Sequence, residues 1–290
     1  MANDAPIIIV GAGRTGSTIF HSMLSEHPTL AWLAGPICNR FPDNPELNRL
    51  LMSGLDYPLV GGFFKRNIKP AECYPFWEHH CKGFSVPYRD LLASDVTEAT
   101  KERIPDVMSK MLTEKRDRLL LKITGWPRIG FLSEIFEGAK FIHVMRDGRA
   151  VANSMINVGF WRGWRGPAGW TWGELSCSQK EEWDRYGQSF VVLAAIQWKI
   201  LMDAMERAKD LLDGDRLVEI KYEDLCSDPL GTFEQITQYC GLGWTPDFEM
   251  ELRRHRLKNT NDKYRRELTA EQQRDLEEVL GDYLRRYGYL

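Results

Sequence analysis

The chain has 290 residues, of which 43% are hydrophobic and 27% charged, which is ordinary usage for a globular protein. A formal net charge of −3 gives no reason to expect nonspecific binding to nucleic acid, so we expect no DNA or RNA partner. No apolar stretch reaches the ~18 residues of a membrane span, and the N-terminus lacks the regions of a signal peptide, so we expect a cytoplasmic protein. The six cysteines are scattered without metal-ligand spacing, and we expect neither a bound metal nor a disulfide scaffold.

The first predicted elements are a buried strand and a phosphate-binding loop. Residues 7–10 read Ile-Ile-Ile-Val, which is typical of a strand covered on both faces in a parallel sheet. Residues 11–18 follow as Gly-Ala-Gly-Arg-Thr-Gly-Ser-Thr, and we expect a helix to begin near Ser17. The glycines permit close backbone approach, and the free N–H groups of a helix start attract an anion.

Three other interpretations of this loop remain open. A dinucleotide site needs an acidic residue roughly 20 positions further on, but residues 30–36 contain none. A nucleotide-triphosphatase loop needs Lys after its last glycine, where this chain has Ser17. A glycine turn that serves packing alone is the third alternative. Arg14 supplies the charge of this loop, and an arginine can clamp a terminal anionic group.

The middle of the chain alternates between strand and helix patterns. Residues 35–88 are rich in Pro, Gly and aromatic residues without periodicity, which predicts an irregular functional insertion. The elements expected after it are a polar helix over Ser94 to Glu114, capped by Asp95 or Thr97, a short buried strand over Leu119 to Lys122 and a helix over Ile129 to Phe136.

A second anion-binding segment follows the strand predicted at Phe141 to Met145. Arg146 ends this strand, and residues 147–154 open a helix. Ligands of open α/β sheets bind at the carboxyl ends of the strands, so Arg146 should face the crevice that the first loop lines. Ser154 lies two helical turns further on and could bind the same anion. Lys122 ends its own strand in the same way. The alternative is a surface role, in which Arg146 pairs with Asp147 or Arg149 pairs with Glu134.

The C-terminal half contains a second irregular segment and further α/β units. Residues 159–178 hold four tryptophans, Trp161, Trp164, Trp170 and Trp172, which line either a pocket or the core. The elements expected after it are a long helix over Gln179 to Leu212 with a kink near Gly187, a strand over Arg216 to Tyr222 and a helix over Leu230 to Cys240 closed by Gly241. The pattern predicts a single α/β domain over residues 1–290, with an open, mostly parallel sheet and helices on both faces.

With these segments in place, the chain resembles the sulfotransferases that use 3′-phosphoadenosine 5′-phosphosulfate (PAPS). The likeness lies in the loop at residues 11–18 with His27-Pro28, in the segment at 141–154, and in Tyr222-Glu-Asp-Leu with Asp228-Pro229. It implies PAPS as donor, 3′,5′-ADP as product and a hydroxyl of a small molecule or a glycan as acceptor. The nucleotide contacts implied by the resemblance are Gly13, Arg14, Thr15, Gly16, Ser17 and Thr18 for the 5′-phosphosulfate, Arg146 and Ser154 for the 3′-phosphate, and Lys258 and Lys263 from a basic tail loop.

Sulfuryl transfer needs cations where the leaving phosphate gains charge and a base for the acceptor hydroxyl. Arg14 and Lys122 are the candidate cations. The family places a histidine base two residues after this lysine, where the present chain has Thr124. Glu72 is therefore the candidate base, with His79 or His80 as alternatives and a solvated loop glutamate as the plain interpretation.

Two other functions fit parts of the pattern. A P-loop kinase acting on a small molecule with ATP and Mg²⁺ fits the strand–loop–helix order but not the missing loop lysine. A non-catalytic nucleotide-binding protein is consistent with Thr124 in place of the histidine base that the resemblance implies.

Overall fold

Five parallel strands form the sheet of the protein, described by a computed structural model over residues 5–85, 88–170 and 172–290. They lie in the order β2-β3-β1-β4-β5, so the predicted open parallel sheet is confirmed. The strands are β1 Ile7–Gly11, β2 Leu30–Trp32, β3 Arg118–Thr124, β4 Lys140–Met145 and β5 Leu217–Lys221.

The register places the carboxyl ends of the central strands side by side. Gly11 at the end of β1 pairs with Thr124 at the end of β3, and Val10 pairs with His143 of β4. Every residue of β1 is buried, as its isoleucine run predicts. The loops that follow β1, β3 and β4 therefore leave the sheet at one edge, where open parallel sheets bind ligands.

Helices connect and cover the strands. Short 3₁₀ helices are also present at Ala93–Asp95, Gly163–Arg165 and Pro167–Gly169. The α-helices of the described residues are α1 Ser17–Leu24, α2 Gly35–Cys38, α3 Pro45–Gly54, α4 Gly61–Asn67, α5 Tyr74–His80, α6 Glu98–Ser109, α7 Ile129–Ile135, α8 Gly148–Ile156, α9 Cys177–Arg185, α10 Phe190–Lys209, α11 Tyr222–Ser227, α12 Pro229–Cys240, α13 Pro246–Arg254, α14 Lys263–Glu267 and α15 Ala270–Arg286.

Several predicted helix ends are confirmed. The first helix begins at Ser17, and α6 is capped by Thr97, whose hydroxyl accepts a hydrogen bond from the Thr100 N–H. Gly241 closes α12 with a φ of 70°, a left-handed conformation that favours glycine. The helix predicted over 94–114 is shorter, because it begins only after this Thr97 cap.

Two predictions about secondary structure need correction. The long helix predicted over 179–212 is two helices, α9 and α10. The interruption lies at the predicted kink, but it is a full break because Gly187 and Gln188 adopt positive φ angles of 62° and 57°. The segment 35–88 is not irregular, since it contains α2 to α5. These helices have at most ten residues and are separated by Pro and Gly, so no long hydrophobic period develops.

Two clusters of buried side chains form the interior. One surrounds the sheet, and the other lies between α8, α10 and α15. Among the described residues, none of the helices is long and apolar enough to cross a bilayer.

Candidate active site

The loop between β1 and α1 adopts a backbone that few residues other than glycine tolerate. Gly13, Arg14 and Gly16 have φ angles of 78°, 58° and 86°. A Cβ on Gly16 would lie 2.3 Å from Cδ2 of Tyr222, so glycine is also required by packing. The Thr15 hydroxyl is buried without a hydrogen-bond partner among the described residues. An orphaned buried donor beside the N-terminus of α1 is suited to an anion.

Arg146 directly follows the last residue of β4, Met145, and reaches back to this loop. Its Nη1 donates to the Arg14 carbonyl at 3.1 Å, its Nη2 to Thr260 Oγ1 at 3.0 Å and its Nε to Asn261 Oδ1 at 2.9 Å. The guanidinium also lies 4.5 Å from the centre of the Tyr222 ring.

The electrostatic setting of Arg146 favours an anionic ligand. The residue is buried, and burial lowers the pKa of its guanidinium despite the nearby Tyr222 and Glu223. Within the described parts of the chain no carboxylate lies at ion-pair distance from it. The surface ion pair with Asp147 is therefore absent there, since Asp147 binds Arg149 at 2.8 Å instead. A buried cation held only by neutral oxygens gains most from a bound anion.

Arg14 joins the loop to the second predicted segment. Its Nε donates to Ser154 Oγ at 3.0 Å, so its side chain lies on the Arg146 side of the loop. We call Arg14, Arg146 and Ser154 the anion clamp. The clamp lines a cavity of about 610 Å³ whose wall also includes Thr260 and Lys263.

A second group of charges lies at the end of β3. Lys122 is 5% exposed, and its Nζ lies 2.9 Å from Thr18 Oγ1 and 3.0 Å from Glu72 Oε1. Thr124 Oγ1 donates to the same Glu72 oxygen at 2.8 Å. We call Lys122 and Glu72 the lysine–glutamate pair. Because Thr18 belongs to the first turn of α1, the pair adjoins the phosphate-binding loop.

The segment that carries Glu72 is fixed against β2 and β3. Pro70 forms an isolated bridge with Ala34, and the Ala71 N–H donates to the Leu33 carbonyl at 3.0 Å. Tyr74 OH donates to the Thr124 carbonyl at 2.7 Å, and burial raises the pKa of Tyr74 to about 12. Tyr74 is therefore a neutral hydrogen-bond donor at neutral pH, and it holds α5 onto the end of β3.

The remaining predicted site residues are His79, His80, Lys258 and Lys263, and of these Lys263 lines the clamp cavity. His80 Nε2 contacts the Pro42 carbonyl at 2.7 Å, and the His79 ring packs against His80, so the structure gives neither a contact with the lysine–glutamate pair. Lys258 offers its carbonyl to Tyr222 OH at 2.8 Å while its side chain is exposed. Lys263 begins α14 and lines the clamp cavity.

The tryptophan segment divides between core and surface. Trp161 and Trp170 are buried, and Trp164 is 51% exposed. Trp172 is half-buried, and its ring packs closely against Gly125, where a Cβ would lie 2.8 Å from the ring. Gly125 directly follows Thr124, the residue that contacts Glu72. Trp170 is buried and also lines an apolar cavity, so pocket and core are not exclusive alternatives for this tryptophan.

An apolar cavity accompanies this segment. It has a volume of about 690 Å³ and is lined by Tyr88, Trp170, Leu175 and Trp183 among others. A cavity of this size and lining suits a largely apolar ligand with few polar groups.

Sequence reasoning assigned no role to several residues of the site. Tyr222 covers Gly16 and Arg146, while Thr260 and Asn261 accept hydrogen bonds from Arg146. Glu223 binds both the Asp147 N–H and the Asn261 amide, which orients Asn261. The signal available in the sequence was the position of Tyr222-Glu223 at the end of a strand.

Comparisons with known proteins bear on these groups. A model described as the sulfotransferase family matches residues 6–246. The chain is 28% identical over 328 residues to the Mycobacterium bovis omega-hydroxy-beta-dihydromenaquinone-9 sulfotransferase Stf3, with 99% of this chain and 76% of that protein covered.

Two solved structures are similar in fold. The sulfotransferase STF9 from Mycobacterium avium aligns with a TM-score of 0.60 and 19% identity, covering 98% of this chain and 77% of that one. The sulfotransferase domain of the Synechococcus PCC 7002 olefin synthase aligns with a TM-score of 0.51 and 17% identity, covering 97% and 95%.

Proposed function

The chain belongs to the sulfotransferase family, and on that premise we propose that it transfers a sulfuryl group from PAPS to a hydroxyl acceptor with Glu72 as base. The observation that carries the proposal is the contact of Lys122 with both Thr18 and Glu72. This contact places a carboxylate beside the phosphate-binding loop. Sulfuryl transfer needs a base at that place, because the acceptor hydroxyl loses its proton next to the bound phosphosulfate.

The anion clamp is proposed to hold the 3′-phosphate of PAPS. Arg146 and Ser154 have this role in the family resemblance, and Arg14, Thr260 and Lys263 line the same cavity. The charge of the cavity fits a phosphate, because Arg146 is buried there with neutral partners. The side-chain position of Arg14 supports a part in the 3′-phosphate site beside its loop role.

The phosphosulfate is proposed to lie along the loop. Gly13 and Gly16 keep its backbone N–H groups accessible, and Thr15, Ser17 and Thr18 offer hydroxyls. The unpartnered Thr15 hydroxyl supports this assignment. Lys122, at 2.9 Å from Thr18, would face the phosphate oxygen that leaves sulfur.

The proposed reaction is an in-line displacement at sulfur. The acceptor oxygen forms a bond to sulfur, the bond between sulfur and the phosphate oxygen breaks, and the acceptor proton passes to Glu72. Lys122 neutralises the charge that develops on the leaving 3′,5′-ADP. Lys122 and Thr124 both contact Oε1 of the Glu72 carboxylate, so we assign the proton to Oε2.

The proposed acceptor is a hydroxyl on a largely apolar carrier. The relative Stf3 is named for a hydroxylated menaquinone derivative, which supports such a carrier for the present chain. The cavity lined by Tyr88, Trp170, Leu175 and Trp183 could accommodate apolar groups of this kind.

The test is turnover with PAPS carrying radiolabelled sulfur and a panel of isoprenoid alcohols, long-chain alcohols, phenols and sugars. We expect label transfer to one class, with release of 3′,5′-ADP. Binding of 3′,5′-ADP and of ATP with Mg²⁺ is measured in parallel by calorimetry. Tight binding of ATP with Mg²⁺ and none of 3′,5′-ADP would overturn the donor assignment in favour of the kinase alternative.

A further inference from the structure

A group of large apolar side chains is exposed around the start of α4. Leu59 is 98% exposed, Phe63 66%, Tyr57 65% and Val60 43%. We call these four residues the apolar tip. Single exposed apolar residues are common on proteins, but four of them between positions 57 and 63 form a patch of the kind that marks an interaction site.

The apolar tip is exposed although its base is packed. Phe64 lies against Gly54, where a Cβ would be 2.8 Å from Phe64 Cε2, and it contacts the buried core cluster. A Cβ on Gly61 would lie 2.3 Å from the Leu55 carbonyl oxygen, so the turn before α4 is closely fitted. Phe64 therefore fixes α4 to the protein while its neighbour Phe63 faces outward.

Cations follow the apolar tip directly. Residues 57–69 contain Lys65, Arg66 and Lys69 and no acidic residue. Arg66 and Lys69 are exposed and line a recess of about 480 Å³ that also includes Arg254 and His255.

The acidic residues of this recess are already engaged by other cations. Glu251 pairs with Arg254 at 2.7 Å, and Asp56 pairs with the buried Arg116 at 3.1 Å. Lys65 lies 3.8 Å from Glu26. In the described residues neither Arg66 nor Lys69 forms an ion pair, and Lys69 Nζ donates to the neutral Lys65 carbonyl at 2.7 Å, so both charges are available to an external anion.

We propose that the apolar tip, Arg66 and Lys69 bind the surface of an anionic lipid bilayer. The tip would enter the boundary between headgroups and acyl chains, where aromatic and aliphatic side chains are favoured, and the two cations would contact phosphates. The phosphates of a bilayer complement these cations, whereas an identical surface of a second copy would carry the same excess of cations.

The test is co-sedimentation of the full chain with phosphatidylcholine vesicles, with and without phosphatidylglycerol. We expect binding to the anionic vesicles that weakens as salt rises, since screening reduces headgroup attraction. Phe63→Glu should lower the vesicle affinity about tenfold, because a charge at the interface opposes insertion. Arg66→Glu with Lys69→Glu should lower it by a similar factor and abolish the preference for phosphatidylglycerol.

Phe160→Glu is the matched control, since Phe160 is 68% exposed and thus comparable to Phe63. It should leave vesicle binding unchanged, and circular dichroism melting should show that all variants fold. Equal loss in Phe160→Glu, or equal binding to neutral and anionic vesicles, would overturn the proposal. A wild-type dimer that Phe63→Glu dissociates, without vesicle binding, would instead assign the surface to a second copy. The assay contains no PAPS, so its outcome is separate from that of the transfer reaction.

Discussion

The anion clamp and the lysine–glutamate pair lie near one loop, but their residues come from different kinds of segment. Arg14 lies in the loop after β1, Arg146 follows β4 directly, and Ser154 lies on the helix after β4. Glu72 instead belongs to a segment of short helices that is joined to the sheet edge through Ala34 and Pro70. The parallel sheet fixes the clamp and also Lys122 on β3, whereas tertiary packing of the inserted segment brings Glu72 to that lysine.

This difference separates nucleotide binding from chemistry. A change in the clamp should reduce affinity for the donor, because its members face the cavity assigned to the nucleotide. A change in the pair should reduce turnover while the nucleotide still binds. Each substitution below is designed to test that separation.

Glu72→Gln should have the largest effect on turnover. Loss of a general base costs about 10²–10⁴-fold in kcat, and affinity for 3′,5′-ADP should be unchanged by calorimetry. Glu78→Gln is the matched control on the same segment, since Glu78 binds the Gly83 and Ser85 N–H groups and not Lys122. It should leave turnover unchanged. Full activity in Glu72→Gln would move the search for the base to His79.

Lys122→Met should lower kcat by roughly 10²–10³-fold, the range for losing one group that stabilises developing negative charge. The substitution keeps the length of the side chain and removes its contacts with Thr18 and Glu72. Lys140→Met is the control, because Lys140 begins β4 at the opposite edge and its ammonium contacts the Tyr239 carbonyl. Its effect should appear in thermal stability and not in turnover. A Lys122→Met variant that loses nucleotide affinity but keeps kcat would contradict the separation.

Arg146→Ala should weaken binding of 3′,5′-ADP by about 2 kcal/mol, or roughly 30-fold, the cost of a lost charge-assisted contact. At saturating PAPS the kcat should be retained. Arg146→Lys keeps the charge but loses the forked donors to Thr260 and Asn261, so its affinity should be intermediate. Unchanged affinity in Arg146→Ala would remove this residue from the nucleotide site.

Much of the clamp could be predicted because its signals are local. A run of β-branched residues predicts a strand, glycine predicts the turn, and a parallel sheet brings strand ends to one edge. Gly16 and Arg146 needed no knowledge of distant contacts to be selected. The sheet and the family membership predicted from these motifs are both confirmed.

Other features depend on contacts that no local pattern encodes. Thr260 and Asn261 lie more than a hundred residues from Arg146 and have no strand or glycine signal of their own. The approach of Glu72 to Lys122 depends on how α5 packs. Gly187 indicated a kink in the predicted helix, but the full break between α9 and α10 also depends on the positive φ angle of Gln188, which the helical pattern does not encode.

Thr124→Val should have the smallest effect and tests whether Thr124 orients the base. Thr124 occupies the position where the family resemblance implies a histidine, and its hydroxyl donates to Glu72 Oε1 at 2.8 Å. The acceptor is a carboxylate, and loss of a hydrogen bond to a charged group costs about 1.5 kcal/mol at the low end of the range, so kcat should fall roughly tenfold while 3′,5′-ADP affinity is retained. Thr124→Ser keeps the donor and should restore kcat. Valine replaces the hydroxyl by a methyl group and serine removes the methyl group, so equal losses in the two variants would assign the effect to side-chain packing. Recovery in the serine variant alone would place the hydroxyl, rather than the bulk of the side chain, in control of the Glu72 carboxylate.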